Sequence, residues 1–210
     1  MFAIHHPDTF LQISKDYIAC VIPKCGCSTI TLQSICYHEH KNIYDYREYE
    51  GKHISSKGEH FFDCSKNHYT INEKYLPENH KIIAIFRDPI ERYISTWHTS
   101  AAQKLCNDFN LNLIKLCSYI GSDEKIDQHY TPQHMYYDFK NIDIFIELKD
   151  YHKFCEEHNI PWIITNKNAS SYYDKFRLSE NNIRIIKSIY DKDYRLIDEI
   201  KKSNKLYIPK

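Results

Sequence analysis

The sequence predicts an α/β fold in three layers, with a central, mainly parallel β-sheet flanked by helices. Three observations lead there. Residues 17–22 and 82–86 are continuous apolar runs rich in β-branched side chains, the pattern of strands covered on both faces. Each run is followed within a few residues by a helix-start signal. Strand and helix patterns then alternate along the chain, the order that builds parallel sheets through crossover helices. At 210 residues the chain can bury a full core, and it reads as a single domain over 1–210.

Composition narrows the function classes. Lys plus Arg and Asp plus Glu both number 28, so no net field draws nucleic acid or an anionic membrane. No apolar run reaches membrane-spanning length, and residues 1–13 lack the basic-then-apolar order of a secretory leader. Eight cysteines are scattered rather than arrayed as a disulfide framework, and Cys20, Cys36, Cys106, Cys117 and Cys155 sit in apolar surroundings. Reduced thiols and a cytoplasmic location are the expectation. Nothing in the sequence speaks to oligomeric state.

In chain order, residues 1–15 read as a short strand or lead-in to the strand at 17–22. Pro23, Lys24 and Gly26 follow, then Ser28 and Thr29 at the start of a helix expected over about 29–37. Amide groups at a helix N-terminus and the helix dipole suit an anionic phosphate there, and Gly26 would let the backbone approach it. The same residues would also serve a routine strand-to-helix turn. The spacing is not that of the ordinary nucleoside-triphosphate loop. Cys25, Cys27, Cys36, His38 and His40 could be drawn together around zinc, but their spacings are not those of structural zinc sites, so no metal is expected. Residues 41–77 are irregular, polar and rich in Tyr and His, as an acceptor-side loop region would be.

The second informative stretch is Arg87-Asp-Pro-Ile-Glu-Arg-Tyr-Ile-Ser95, directly after the strand at 82–86. Asp88 as N-cap, Pro89 at the first helical position and Glu91 closing a capping box have sufficient local reasons to be there. Arg87 does not. A guanidinium at the carboxyl end of a parallel strand, with Ser95 two turns along the helix, could hold a second phosphate.

Pro23-Lys-Cys-Gly-Cys-Ser-Thr29 resembles the 5′-phosphosulfate loop of sulfotransferases, and the stretch from Arg87 to Ser95 resembles their 3′-phosphate motif. The pattern is similar to the carbohydrate sulfotransferase branch (family 2-like) related to chondroitin and dermatan sulfotransferases. That resemblance implies a P-loop-type form of the α/β fold. It also implies 3′-phosphoadenosine 5′-phosphosulfate as co-substrate, without a metal. Lys24, Cys25, Gly26, Cys27, Ser28 and Thr29 would hold the phosphosulfate, and Arg87 and Ser95 the 3′-phosphate. Asp127-Gln-His-Tyr-Thr-Pro-Gln133 is similar to a His-aromatic-x-Pro-Gln element beside the active site of that branch. Asn168-Ala-Ser170 resembles an Asn-x-Ser element near its cofactor, placing Asn168 and Ser170 among the binding residues.

Further helices are expected over 109–120, closed by Gly121, over 149–158, and over 183–194 with Ser179 as cap and Ile183, Ile186, Ile189 and Tyr190 on one face. A strand is expected over 143–148. The implied reaction moves a sulfuryl group to an acceptor hydroxyl, most naturally on a carbohydrate, with Lys24 stabilising the leaving phosphate. For the general base, His53, Glu59, His60, His68 and His129 all stand; His60 is preferred because Phe61 and Phe62 could anchor it, with His129 contributing from the Pro-Gln element. Two alternatives remain: a non-catalytic module that keeps the nucleotide cradle, and a P-loop kinase, which would need a hydroxyl where Cys25 follows Lys24.

Overall fold

The computed structural model describes residues 10–40, 70–71, 79–98, 108–119, 127–136, 138–162 and 178–210. Two strand runs lie where the sequence places them. Strand β1 (Phe10–Gln12) turns back through Ile13–Asp16 into β2 (Tyr17–Cys20), the amide of Ile13 donating to the carbonyl of Tyr17. Helix α1 (Cys27–His38) begins two residues before the expected start. A two-residue strand, β3 (Thr70–Ile71), lies inside the stretch that reads as irregular. Strand β4 (Lys81–Phe86) leads into helix α2 (Pro89–Trp97), and α3 (Phe109–Tyr119) follows. The expected helix end at Gly121 lies outside the described residues. Beyond it come 3-10 turns at Gln133–Met135 and Phe139–Asn141, strand β5 (Ile144–Glu147), a third 3-10 turn at Leu148–Asp150 and helix α4 (Tyr151–Glu157).

One correction concerns the C-terminal part. The expected single helix over 183–194 is two: α5 (Glu180–Ile189) and α6 (Asp191–Lys202), parted at Tyr190. Ser179 caps α5 as predicted, accepting from the amide of Asn182. Tyr190, Asp193 and Tyr194 therefore straddle a helix junction instead of ending a helix. Asp191 and Asp193 in the first turn of α6 favour the restart, since carboxylates are stabilised at a helix N-terminus.

The sheet runs β3-β1-β2-β4-β5. Its centre is parallel: β2 pairs with β4 through Ile18 and Ile82, and β4 with β5 through Ile83 and Ile144. Strands β1 and β3 add an antiparallel edge. All of β2 is buried, as are Ile83–Phe86 of β4, which is why neither strand shows polar alternation. On the far side Leu206 forms a parallel bridge to Phe145, extending the sheet by one short piece.

The described residues form two compact units. One holds the five strands with α1 and α4. There Gln33 of α1 accepts from the Tyr151 hydroxyl at 2.5 Å and donates to the Pro161 carbonyl at 2.9 Å, satisfying a buried amide that would otherwise be costly. The other unit holds α2, α3, α5 and α6. Its core is Tyr93, Leu113, Leu116, Tyr130, Ile186 and Tyr190, with Tyr93 donating to Asn112 at 2.8 Å. Of the face expected on the last helical part, Ile186 and Tyr190 are fully buried while Ile183 and Ile189 are partly so.

Candidate active site

The first anion-binding stretch begins where β2 ends. Ile22 and Cys25 close a turn, the amide of Cys25 donating to the Ile22 carbonyl at 3.0 Å. Two residues of this turn are left-handed: Lys24 at φ 67° and Gly26 at φ 84°. For Gly26 this costs nothing; for a lysine it is strain of the kind that collects at functional positions. A Cβ on Gly26 would also sit 3.1 Å from Leu148 Cδ1, so the position has two reasons to be glycine. Gly26 is the N-cap of α1 and offers no side chain to it. Among the described residues, nothing accepts from the amides of Cys27, Ser28 and Thr29, the orphan donors of the first helical turn. Lys24, Cys27, Ser28 and Thr29 are half-buried, whereas Cys25 is fully buried and can contribute only backbone. An uncapped helix start, a left-handed glycine and a lysine two residues before it are features that suit an anion.

The second stretch follows β4. Asp88 caps α2 as the sequence predicts, its Oδ1 accepting from the amides of Ile90 at 2.9 Å and Glu91 at 3.2 Å. The Glu91 carboxylate accepts from Arg87 Nε at 3.3 Å through Oε2, a one-turn ion pair between a largely covered guanidinium and an exposed carboxylate. With its carboxylate exposed, such a pair contributes little to stability. Ser95 lies half-buried on α2. Arg92 and Thr96 of the same helix are fully buried, and the Thr96 hydroxyl lies 3.0 Å from the carbonyls of both Arg92 and His129.

The Pro-Gln element supplies what sequence reasoning missed. The Gln133 side chain accepts from the Arg87 amide at 2.9 Å and donates to the Arg87 carbonyl at 2.8 Å. Asp193, buried in α6, accepts from the amides of Gln133 and His134 at 2.8 and 2.9 Å and lies 2.7 Å from His134 Nδ1. Tyr190 donates to the Tyr130 carbonyl at 2.9 Å, and burial, offset in part by the nearby Arg92 guanidinium, pushes its phenol above the ordinary tyrosine range. Tyr190 and Asp193 of the α5–α6 junction thus hold the Pro-Gln element. Both residues lay within the helix expected over 183–194, but no partner could be read from the sequence.

His129 is partly exposed, with Nδ1 2.6 Å from Asp127 Oδ1, which also accepts from the His129 amide at 2.9 Å. A carboxylate can only accept, so Nδ1 carries the proton and Nε2 is left basic. Of the other base candidates, His53, Glu59, His60 and His68 lie outside the described residues, as do Phe61, Phe62, Asn168 and Ser170. Among the described residues no group of three or more His, Cys, Asp or Glu is gathered as for a metal. Cys20, Cys25, Cys36 and Cys155 are buried free thiols, but Cys117, expected in apolar surroundings, is exposed. No helix among the described residues is long and apolar enough to cross a membrane.

An uncapped helix start after β2 and an arginine directly after β4 are the two features on which a phosphate-binding reading rests. The chain belongs to the sulfotransferase family, whose description matches residues 7–162. The match takes in both phosphate motifs and the Pro-Gln element and stops before α5 and α6. Comparison with curated proteins and with solved structures finds no significant match. Sulfuryl transfer to an acceptor hydroxyl is the activity that membership in this family brings.

Proposed function

We propose that this chain transfers the sulfuryl group of 3′-phosphoadenosine 5′-phosphosulfate to a hydroxyl on a carbohydrate. The observation that carries the reading is the cradle at Lys24–Thr29: a left-handed glycine and three first-turn amides without acceptors among the described residues. Lys24, Gly26, Cys27, Ser28 and Thr29 take the 5′-phosphosulfate, and Arg87 with Ser95 takes the 3′-phosphate. The carbohydrate acceptor rests on the resemblance to that branch of sulfotransferases.

In the reaction, the acceptor oxygen attacks sulfur in line while the bond from sulfur to the bridging phosphate oxygen breaks. The electron pair leaves with 3′-phosphoadenosine 5′-phosphate. Lys24 meets the charge growing on that oxygen, and the amides of the cradle, already fixed, need not reorganise. The acceptor proton goes to a general base. His129 has the geometry for this, since Asp127 fixes its tautomer and leaves Nε2 to accept. His60 remains the other candidate, on the segment between the two phosphate motifs.

Two measurements test the reading. Calorimetric titration should give binding of 3′-phosphoadenosine 5′-phosphate well above that of ATP with magnesium; the reverse order would make the chain a kinase. Transfer of labelled sulfate across a panel of glycans should then give turnover. Tight nucleotide binding with no transfer to any hydroxyl acceptor would leave a binding module. For the base, pH–rate profiles of His129→Ala, His60→Ala and His53→Ala belong side by side, and the variant that loses both rate and acidic limb identifies it.

A further inference from the structure

We propose that Gln133 is the positioning residue for Arg87 in recognising the 3′-phosphate, and that Asp193 holds Gln133 in place to do so. The inference rests on the reading of Arg87 given above. Its ground is a pair of hydrogen bonds of opposite sense between one side chain and one backbone residue. Gln133 Oε1 accepts from the Arg87 amide at 2.9 Å and Gln133 Nε2 donates to the Arg87 carbonyl at 2.8 Å. The ladder between β4 and β5 ends with Phe86 opposite Glu147, so Arg87 is the first residue past the paired register. The primary amide of Gln133 presents an acceptor and a donor, and so satisfies both backbone groups of this first residue past the strand.

No other side-chain type does this at that length. Glutamate lacks the donor, methionine lacks both groups, and asparagine is one methylene short. Gln133 is itself only 1 % exposed, so its orientation is set from within the protein. Asp193, equally buried, accepts from the amides of Gln133 and His134 and from His134 Nδ1. A buried carboxylate is tolerated when donors surround it in this way. The sequence Asp193, Gln133, Arg87 is thus a chain of buried hydrogen bonds ending at the backbone of a phosphate-binding arginine. With its Cα and peptide planes fixed, the Arg87 side chain has fewer torsions to settle when an anion arrives.

A purely structural glutamine would lower stability and leave ligand preference alone; a positioning residue changes the preference. The test measures affinity for 3′-phosphoadenosine 5′-phosphate and for AMP by titration calorimetry, in the wild type, Arg87→Ala, Gln133→Met and Asp193→Asn, with thermal melts on each. In folded Gln133→Met the preference for the 3′-phosphorylated nucleotide should shrink by about tenfold, with AMP affinity held, and Asp193→Asn should shrink it less. If Arg87→Ala keeps the wild-type preference, the 3′-phosphate reading has failed and the inference falls with it. If Arg87→Ala loses the preference while folded Gln133→Met keeps it, that reading stands and the positioning role alone is overturned. Should Gln133→Met not fold, the wild type decides through hydrogen exchange at the Arg87 amide. Slowing by 3′-phosphoadenosine 5′-phosphate but not by AMP supports the role, and equal rates with both nucleotides overturn it.

Discussion

The turn after β2 and the turn after β4 leave neighbouring parallel strands and enter helices, yet they are built from opposite materials. The first uses backbone: two left-handed residues, Lys24 and Gly26, a helix with no side-chain cap, and three amides without an acceptor among the described residues. The second uses side chains: Asp88 saturates the amides of its helix start, and Gln133 takes both polar groups of Arg87. On the reading proposed above, the second turn, with the amides of α2 satisfied by Asp88, would bind its anion through a guanidinium, and the first, with no side-chain cap, through the peptide groups themselves. Each turn therefore tolerates different changes.

The largest expected effect sharpens that contrast at Lys24. Lys24→Ala should lower turnover by roughly a hundred- to a thousandfold, the range for one lost transition-state contact, while nucleotide affinity falls much less. Lys24→Gly should be equally inactive yet more stable than Lys24→Ala in denaturant titration, because glycine accepts the left-handed backbone at little cost. Near-normal turnover in folded Lys24→Ala would break the assignment.

For nucleotide affinity, as distinct from turnover, side-chain truncation should hurt the second turn more than the first. Arg87→Ala should cost about 1.5–3 kcal/mol of binding to 3′-phosphoadenosine 5′-phosphate and nothing for AMP. Cys27→Ala should change neither by more than about threefold, since its amide and not its thiol is in the cradle. A large loss of affinity in Cys27→Ala would mean that nucleotide binding at the first turn also depends on a thiol side chain.

Stability should reverse the order. Gly26→Ala must hold an alanine at φ 84° with its Cβ against Leu148, a cost of about 1–2 kcal/mol from the backbone alone. Asp88→Ala loses a cap, typically about 1 kcal/mol. Urea melts of both variants would decide whether the strained turn is the more demanding.

These two turns also show what the sequence discloses. Asp88 and Pro89 were legible because capping is local chemistry, and β4 because burial on both faces erases alternation. The pairing of Glu91 with Arg87 was not read, because a residue three places after a cap can turn back to it or pair along the helix, and spacing does not choose. Gln133 was quoted in a motif and Asp193 lay inside a predicted helix, both without roles, because their partners lie 46 and 60 residues away in sequence. Tyr190 was placed on a buried face correctly, but the break it marks depends on Asp191 and Asp193 starting a new helix.

The smallest effect lies in the sheet-bearing unit. Burial, with His40 nearby, holds the His38 imidazole below its ordinary value. The unfolded chain then binds the proton first, so stability from this group is present above about pH 6.5 and declines on acidification. His38→Gln should flatten the acid side of a stability–pH curve slightly. An unchanged slope would remove His38 from that account.

The Asp193 bridge has a consequence for how the protein is made. Synthesis runs from the N-terminus, so Arg87 leaves the ribosome more than a hundred residues before the carboxylate that secures its bracket. During that interval Gln133 can reach Arg87, but the turn carrying Gln133 lacks its anchor. Closing so long a loop is slow compared with forming a local cap. Nucleotide recognition at Arg87 should therefore be among the last properties the nascent chain acquires, well after α2 is capped. A nascent chain halted before α6 would carry both phosphate motifs and still discriminate poorly between nucleotides with and without the 3′-phosphate.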